Sequence, residues 1–302
     1  MSEYTLDILG RTLMVVNASQ GLIAWLEEHW NFPEHAGQLE SDWTFVLEYS
    51  DEPEPEGLRE QAKPLEGSFN PLEVAWAEDA SVWLPERQGG VRLALEQAAH
   101  RVRLHWYGTL EYADALYQGM CEVMRSSGLI PLHASVAARD GKASAFLGPS
   151  GTGKTTTLLR TIAAGWTPVS EDFSWLEPES LVLYSWDRKL HLLPDTLKKL
   201  EELFPDVQAE KFNGRKHPVA FEDLAPRLWS CPLSTLVVLE RNSERVSEWQ
   251  PLPKMQALVG FYSSTGVPLF GAVRQPFSDS SAKVIGRLEG KKLVLGARAL
   301  PL

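Results

Sequence analysis

One stretch of eight residues constrains this chain more than any other: Gly148-Pro149-Ser150-Gly151-Thr152-Gly153-Lys154-Thr155. It fits G-x-x-x-x-G-K-[ST], a loop whose glycines let the backbone turn its N–H groups onto phosphate oxygens. Lys154 is placed to reach the β- and γ-phosphates, and the Thr155 hydroxyl to ligate Mg²⁺; Thr156 follows within the same cradle. Four fixed positions match by chance in a chain of this length roughly 1% of the time, given average glycine usage of about 7%. The context narrows this further. Residues 143–147 read as a short apolar strand, and 155–164 as a helix with Leu158, Leu159 and Ile162 at helical spacing. Strand, loop and helix in that order let the helix N-terminus face an anion. The alternative, an accidental glycine-rich turn, needs none of this.

The 302 residues suffice for one large domain or two ordinary ones, and 44% hydrophobic with 23% charged residues is a globular balance. A net charge of −11 argues against nonspecific binding to nucleic acid or anionic membrane, and would suit a partner with a basic segment. Cys121 and Cys231 have neither C-x-x-C nor metal-site spacing, so buried thiols in a reducing cytoplasm are expected. The N-terminal MSEYTLDILGRTL lacks a charged segment followed by a long apolar core, so no signal peptide is expected, and no apolar run is long enough for a bilayer span.

Residues 1–107 read as a separate α+β region. Strands are expected within 4–16 and over 43–49, 74–76, 81–84, 91–95 and 102–106, with a helix over 20–30 and a Pro- and Glu-rich loop over 50–67. Its tryptophans, Trp25, Trp30, Trp43, Trp76, Trp83 and Trp106, are core material first and a recognition face second. A domain boundary is placed before a helix over 109–125, which Gly128 terminates. The second domain, 108–302, opens with apolar runs 132–138 and 143–147 around Asp140-Gly141, a hairpin signal feeding straight into the phosphate loop. Strands follow near 167–172, 175–176 and 181–186. A helix is expected over 197–204 capped by Asp195 or Thr196, then a polar basic loop over 207–218. Later come a buried strand over 233–239, helices over 254–262 and 281–288, and a closing strand over 291–295.

A phosphate loop needs acids for the metal and for the nucleophile. Glu171-Asp172 ends the strand after the loop helix, where Asp172 could bind Mg²⁺ and Glu171 could accept a proton from an attacking hydroxyl. Read alone, the pair has the lesser alternative of a surface turn of two solvated acids. Glu240, after Leu236-Val237-Val238-Leu239, occupies the place of a metal-anchoring acid of larger ATPases, but no LSGGQ-like signature accompanies it. His133 lies in an apolar strand, where a histidine is more often core or surface than catalyst.

Together, Leu132-His133-Ala134, the Asp-Gly hairpin, GPSGTGKTT and Gly165-Trp166-Thr167-Pro168-Val169-Ser170-Glu171-Asp172 resemble the C-terminal catalytic domain of HPr kinase/phosphorylase. They resemble still more the HPr-kinase-related proteins that accompany bacterial peptide-modification clusters. The resemblance spans about 109–302 and is sharpest over 131–173. It implies an α/β, phosphoenolpyruvate-carboxykinase-like P-loop fold rather than a doubly wound one. It implies His133 near the γ-phosphate, Lys154 and Thr155 on phosphates and Mg²⁺, Glu171 as base and Asp172 as metal ligand. Glu171 departs from the aspartate common at its position and is one methylene longer. Residues 190–195 and the basic Arg215 and Lys216 also look like related kinases, the latter two as neutralisers of transferring phosphate or as a solvated loop.

The leading expectation is therefore an ATP- and Mg²⁺-dependent kinase acting on a hydroxyl, most naturally a serine of a peptide or small protein. It is expected in the cytoplasm, without nucleic-acid or membrane partners, and as a possible homo-oligomer. An ATP-binding regulator or scaffold without an acceptor is the alternative. A carboxykinase-like enzyme lacks a recognisable arginine cluster for a small acid. A kinase of a free amino acid or sugar would be decided by pocket shape.

Overall fold

The turn at Asp140-Gly141 sets the geometry around the glycine-rich loop 148–153. Both residues hold positive φ, 52° and 72°, the type I′ pattern whose twist matches that of two hairpin strands. The computed structural model describes residues 3–8, 11–16, 20, 24, 43–49, 57, 59–65, 73–76, 80–83, 89–108, 112–211, 216–242 and 246–296. Most of the expected helix over 20–30, most of the 50–67 loop and Arg215 lie outside these residues. The chain divides into two units, 1–129 with 266–279 and 130–265 with 280–302.

The first unit is a mixed sheet followed by a helix. Its strands are β1 (Glu3–Ile8), β2 (Arg11–Val16), β3 (Trp43–Tyr49), β4 (Lys63–Pro64), β5 (Glu73–Trp76), β6 (Ala80–Trp83), β7 (Gly89–Glu96) and β8 (Arg101–Gly108). Their order is β1-β2-β3-β8-β7-β6-β5-β4. Only the β2–β3 and β3–β8 pairs are parallel among these. Trp43 is buried and stacks on His100 at 5.1 Å, a core role; the other five tryptophan side chains of this region lie outside the described residues. Helix α1 (Tyr112–Ser126) packs on β8 and β3. A Cβ on Gly119 would stand 2.3 Å from the Phe45 ring and 2.8 Å from Leu104, so glycine is what lets the helix lie this close. The fully buried Glu122 of α1 accepts from Arg125 at 2.5 Å and from the Leu269 N–H at 3.0 Å. These contacts explain why α1 and 266–279 group with the first unit, and they move the division from the expected 107/108 to 129/130.

The second unit is organised on one long strand. Its strands are β9 (Ile130–His133), β10 (Ser135–Arg139), β11 (Lys142–Leu147), β12 (Thr167–Ser170), β13 (Phe173–Leu176), β14 (Val182–Ser185), β15 (Lys189–Leu192), β16 (His217–Ala220), β17 (Ser230–Arg241), β18 (Glu248–Pro251) and β19 (Glu289–Leu295). The order β12-β10-β11-β17-β14-β13-β9 passes through β17, which also pairs with β19, itself paired with β18. β17 runs parallel to β11 and β19 and antiparallel to β14. β15 and β16 form a separate antiparallel pair.

Alternation along β17 distributes its faces. Val237 and Leu239 join Phe146, Leu158, Leu159, Ile162, Leu190, Leu200 and Phe221 in one core, so α2 (Lys154–Ala163) and α3 (Pro194–Leu203) cover that face. Each such side chain contributes about 1.5–3 kcal/mol on burial. Val238 points the other way, toward α4 (Lys254–Thr265). A Cβ on Gly260 of α4 would meet Val238 Cγ2 at 2.8 Å, so the glycine permits close packing there. Helix α5 (Gly271–Arg287) follows.

Three expectations need correction. The run 132–138 is not one strand but the join of β9 and β10 at Ala134. Helix α3 starts at Pro194 after Leu193, without a side-chain cap from Asp195 or Thr196; proline fits the first helical position because its missing N–H would be unpaired there anyway. Helix α5 begins at Gly271, ten residues before the expected start at 281, and runs through Pro276. Proline loses one backbone bond in a helix, and buried Val273 and Phe277 on either side hold the turn. No helix among the described residues is long and apolar enough to cross a membrane. Both cysteines are buried and neither is in a disulfide, as expected.

Candidate active site

The chain crosses twice at the same point between the two ends of this strand order, from β9 to β10 and from β12 to β13. β10 pairs with β12 and β9 with β13, both antiparallel. Ala134 and Ser135 therefore face Glu171 and Asp172 across the gap between the pairs. The Ala134 N–H donates to the Asp172 carbonyl at 3.1 Å, and the Ser135 hydroxyl to the Glu171 carbonyl at 2.6 Å. The site is built at this crossing.

Asp187, which no motif marks, explains why the ladder breaks there. Its Oδ2 accepts the N–H groups of Glu171, Asp172 and Phe173 at 2.9, 2.8 and 3.0 Å. Successive N–H groups turned inward form a nest for an anion, and here the anion is a side chain of the same protein. The Ser170 hydroxyl lies 2.6 Å from the same oxygen and 2.7 Å from the Phe173 carbonyl, one proton between two acceptors. Arg227 braces the arrangement from behind. It donates to the carbonyls of Asp187 and Val169 and to the Ser185 hydroxyl at 2.6–2.9 Å, sandwiched over the rings of Phe221 and Trp229. Burial pulls its pKa down to about 10, so it keeps its charge at neutral pH.

The glycine-rich loop 148–153 leaves the end of β11 and enters α2. Gly153 is the residue before the helix, with φ 103°, a left-handed conformation that favours glycine. A Cβ on Gly148 would lie 2.7 Å from Thr152 Oγ1. Thr152 donates through N–H and hydroxyl to the Pro149 carbonyl at 3.3 and 2.7 Å, closing the loop. Pro149, Ser150 and Gly151 are exposed at its crest. The first N–H groups of α2, at Lys154, Thr155 and Thr156, have no preceding turn to donate to. Lys154 Nζ lies in the loop, 2.8 Å from the Gly148 carbonyl and 3.4 Å from that of Pro149. Burial lowers its pKa, opposed by Asp172 and Glu171.

The two acids differ from each other. Glu171 is 3% exposed; its Oε1 accepts from the Thr155 hydroxyl at 2.5 Å and its Oε2 lies 3.4 Å from the His191 N–H of β15. Burial, then the charges of Asp172 and Asp187, push its carboxyl up to about 8. Asp172 keeps 45% of its side chain exposed and pairs through Oδ1 with His133 Nε2 at 3.0 Å. Burial raises its pKa, but His133, Lys216 and Lys154 more than offset this and hold the carboxyl well below the usual carboxylate range. Burial and Asp172 raise Asp187 against its hydrogen bonds.

The fold thus assembles Lys154, Thr155, His133, Glu171 and Asp172, and the charge of Lys216 acts on Glu171, Asp172 and Lys154. It places Glu171, rather than Asp172, against the Thr155 hydroxyl. Glu240 pairs instead with Lys292. Thr155 and the two carboxylates supply the hard oxygen donors that Mg²⁺ takes. No cluster of three or more His, Cys, Asp or Glu side chains among the described residues is arranged to hold a metal. No protein-family model matches the chain, and no curated protein matches it.

Proposed function

We propose that the protein is an ATP- and Mg²⁺-dependent kinase on a phosphoenolpyruvate-carboxykinase-like P-loop fold, akin to the HPr-kinase-related proteins. It would transfer the γ-phosphoryl to a serine hydroxyl of a peptide or small protein. One observation carries the reading: a phosphate loop and a His133–Asp172 pair meet at one strand crossing, with Glu171 bonded to the loop's own Thr155.

Lys154 and the N–H groups at the start of α2 bind the phosphates. Thr155 and Glu171 would hold Mg²⁺, which would neutralise charge on the phosphates of the nucleotide. A cation at Glu171 favours its carboxylate form and reverses the effect of burial. This exchanges the roles expected from sequence: Glu171 goes to the metal, and the half-exposed His133–Asp172 pair faces the acceptor. The acceptor's O–H bond breaks as its proton passes to that pair. A bond forms from the acceptor oxygen to the γ-phosphorus while the bond to the bridging oxygen breaks, leaving ADP. Such transition states make modest demands on a base, so an aspartate held strongly ionised can serve. Lys216 lends positive charge.

The test uses ATP labelled at the γ-phosphate, Mg²⁺ and serine-containing peptides. Label on serine in wild type, lost in Lys154→Ala and Asp172→Asn, supports the kinase. Tight nucleotide binding with no labelled acceptor would replace it by an ATP-binding regulator. Glu171→Gln is expected to raise the Mg²⁺ concentration needed for half-maximal turnover, and Asp172→Asn to lower kcat at saturating Mg²⁺.

A further inference from the structure

Within the second unit a cleft of about 520 Å³ opens beside the phosphate loop, within the roughly 300–1,000 Å³ typical of ligand sites. Gly148 and Pro149 form one end, and Val238 of β17 with Met255 and Val259 of α4 form the apolar wall. Gln256, Ser263 and Ser264 supply its polar groups, and no charged side chain lines it. The wall reaches solvent: Met255 is 69% exposed and Val259 59%. Large apolar side chains so exposed beside a concave site mark a place where something apolar is bound, and methionine adapts its shape to varied occupants.

The position of the cleft says which reactant enters it. Lys154 Nζ sits at the Gly148 and Pro149 carbonyls, the two loop residues that also line the cleft. The loop lysine serves the β- and γ-phosphates, so the cleft adjoins the transferable end of the nucleotide and the nucleoside lies at the other end. The lining chemistry says what kind of acceptor fits. A free amino acid or a sugar phosphate would bring charges with no partner there, a costly burial.

Resting on the kinase reading above, we infer that this cleft is an acceptor subsite that takes an uncharged apolar side chain flanking the serine that is phosphorylated. The full chain is assayed with Mg²⁺ and γ-labelled ATP against three probes: a capped pentapeptide with central serine between leucines, the same with aspartates, and free serine. The leucine peptide is expected to show kcat/KM at least about tenfold above the aspartate peptide, mostly through KM, as burial of one apolar side chain predicts. Free serine is expected to take no label. Val259→Glu and, separately, Met255→Glu alter exposed positions that folding tolerates, and each is expected to shrink the preference to about threefold or less. The ¹³C-methyl resonance of Met255, assigned with Met255→Leu, is expected to shift with the leucine peptide and not with the aspartate peptide.

Equal labelling of both peptides, a preference unchanged in both glutamate variants, or a still Met255 resonance at saturating leucine peptide overturns the subsite and leaves the kinase reading standing. Absence of label from every probe, with nucleotide bound, removes the kinase reading and the subsite with it.

Discussion

Each unit of this protein buries carboxylates, and the two do so in opposite ways. In the first, Glu122 meets a guanidinium from Arg125 and an N–H from Leu269. Burial still raises its pKa, opposed by Arg125 and by the N–H groups of Leu269 and Phe270. In the second, Glu171, Asp172 and Asp187 crowd one strand crossing, and the strongest pressures on Glu171 after burial are the charges of its acidic neighbours. A buried acid with its cation is architecture, because the pair is satisfied at rest. A buried acid among acids gains from any further cation that reaches it. The difference separates a residue that holds the fold from one, Glu171, that on the proposed function would hold Mg²⁺.

The largest effect expected from breaking this contrast is kinetic. Asp172→Asn should lower kcat by about 10²–10⁴-fold, the usual worth of a positioned proton acceptor, while thermal unfolding of the variant shows the fold retained. Equal loss of activity and folding would return Asp172 to architecture. Next, Glu122→Ala leaves Arg125 buried without its carboxylate, a loss of about 3–5 kcal/mol in denaturant unfolding. Asp187→Ala should cost about 1–3 kcal/mol, since it orphans N–H groups at the crossing, and should also weaken Mg²⁺-dependent turnover by letting Glu171 and Asp172 drift. Unchanged turnover in that variant would confine Asp187 to stability.

The smallest effect is a slope. Glu171 titrates near 8 in the folded protein against an ordinary 4.5, so the folded state holds its proton more tightly. Stability present below about pH 4.5 is then lost as pH rises through 8, at no more than ~1.4 kcal/mol per unit. Asp187 shifts the same way. Asp172 is depressed, so its contribution is complete above its ordinary 3.8 and is lost only in more acid solution. Unfolding midpoints of nucleotide- and Mg²⁺-free protein between pH 5 and 8 should fall with pH, and Glu171→Gln should flatten the fall.

What sequence could reveal here was whatever chemistry is local. The glycine-rich loop between β11 and α2, the Asp140-Gly141 turn and the apolar face of α2 are set by neighbours in the chain, and each reads directly. Glu171 and Asp172 were visible as a pair but not as opposites, because their difference lies in burial against Thr155 and exposure beside His133. Asp187 was invisible. It sits in Trp186-Asp187-Arg188 with no spacing signal, and its function exists only where folding sets it over three N–H groups 14 to 16 positions away. The break at Ala134 was hidden for the same reason: an apolar run shows that a segment is buried, not which neighbour it pairs with. Arg227 likewise carries no pattern until Asp187, Val169 and Ser185 surround it.

One strand has a bearing on how this unit comes apart. β17 gives its first residues to β14 and its later ones to β11 and β19, so neither side of the unit can melt while the other keeps its hydrogen-bond partners. Amides of buried Leu236 and Val237 should then exchange with deuterium only through the highest-energy opening of the unit, in step with amides of β11, whereas the exposed loop crest at Ser150 exchanges freely. Such behaviour would make the glycine-rich loop a soft edge riding on the slowest-exchanging strand of its unit.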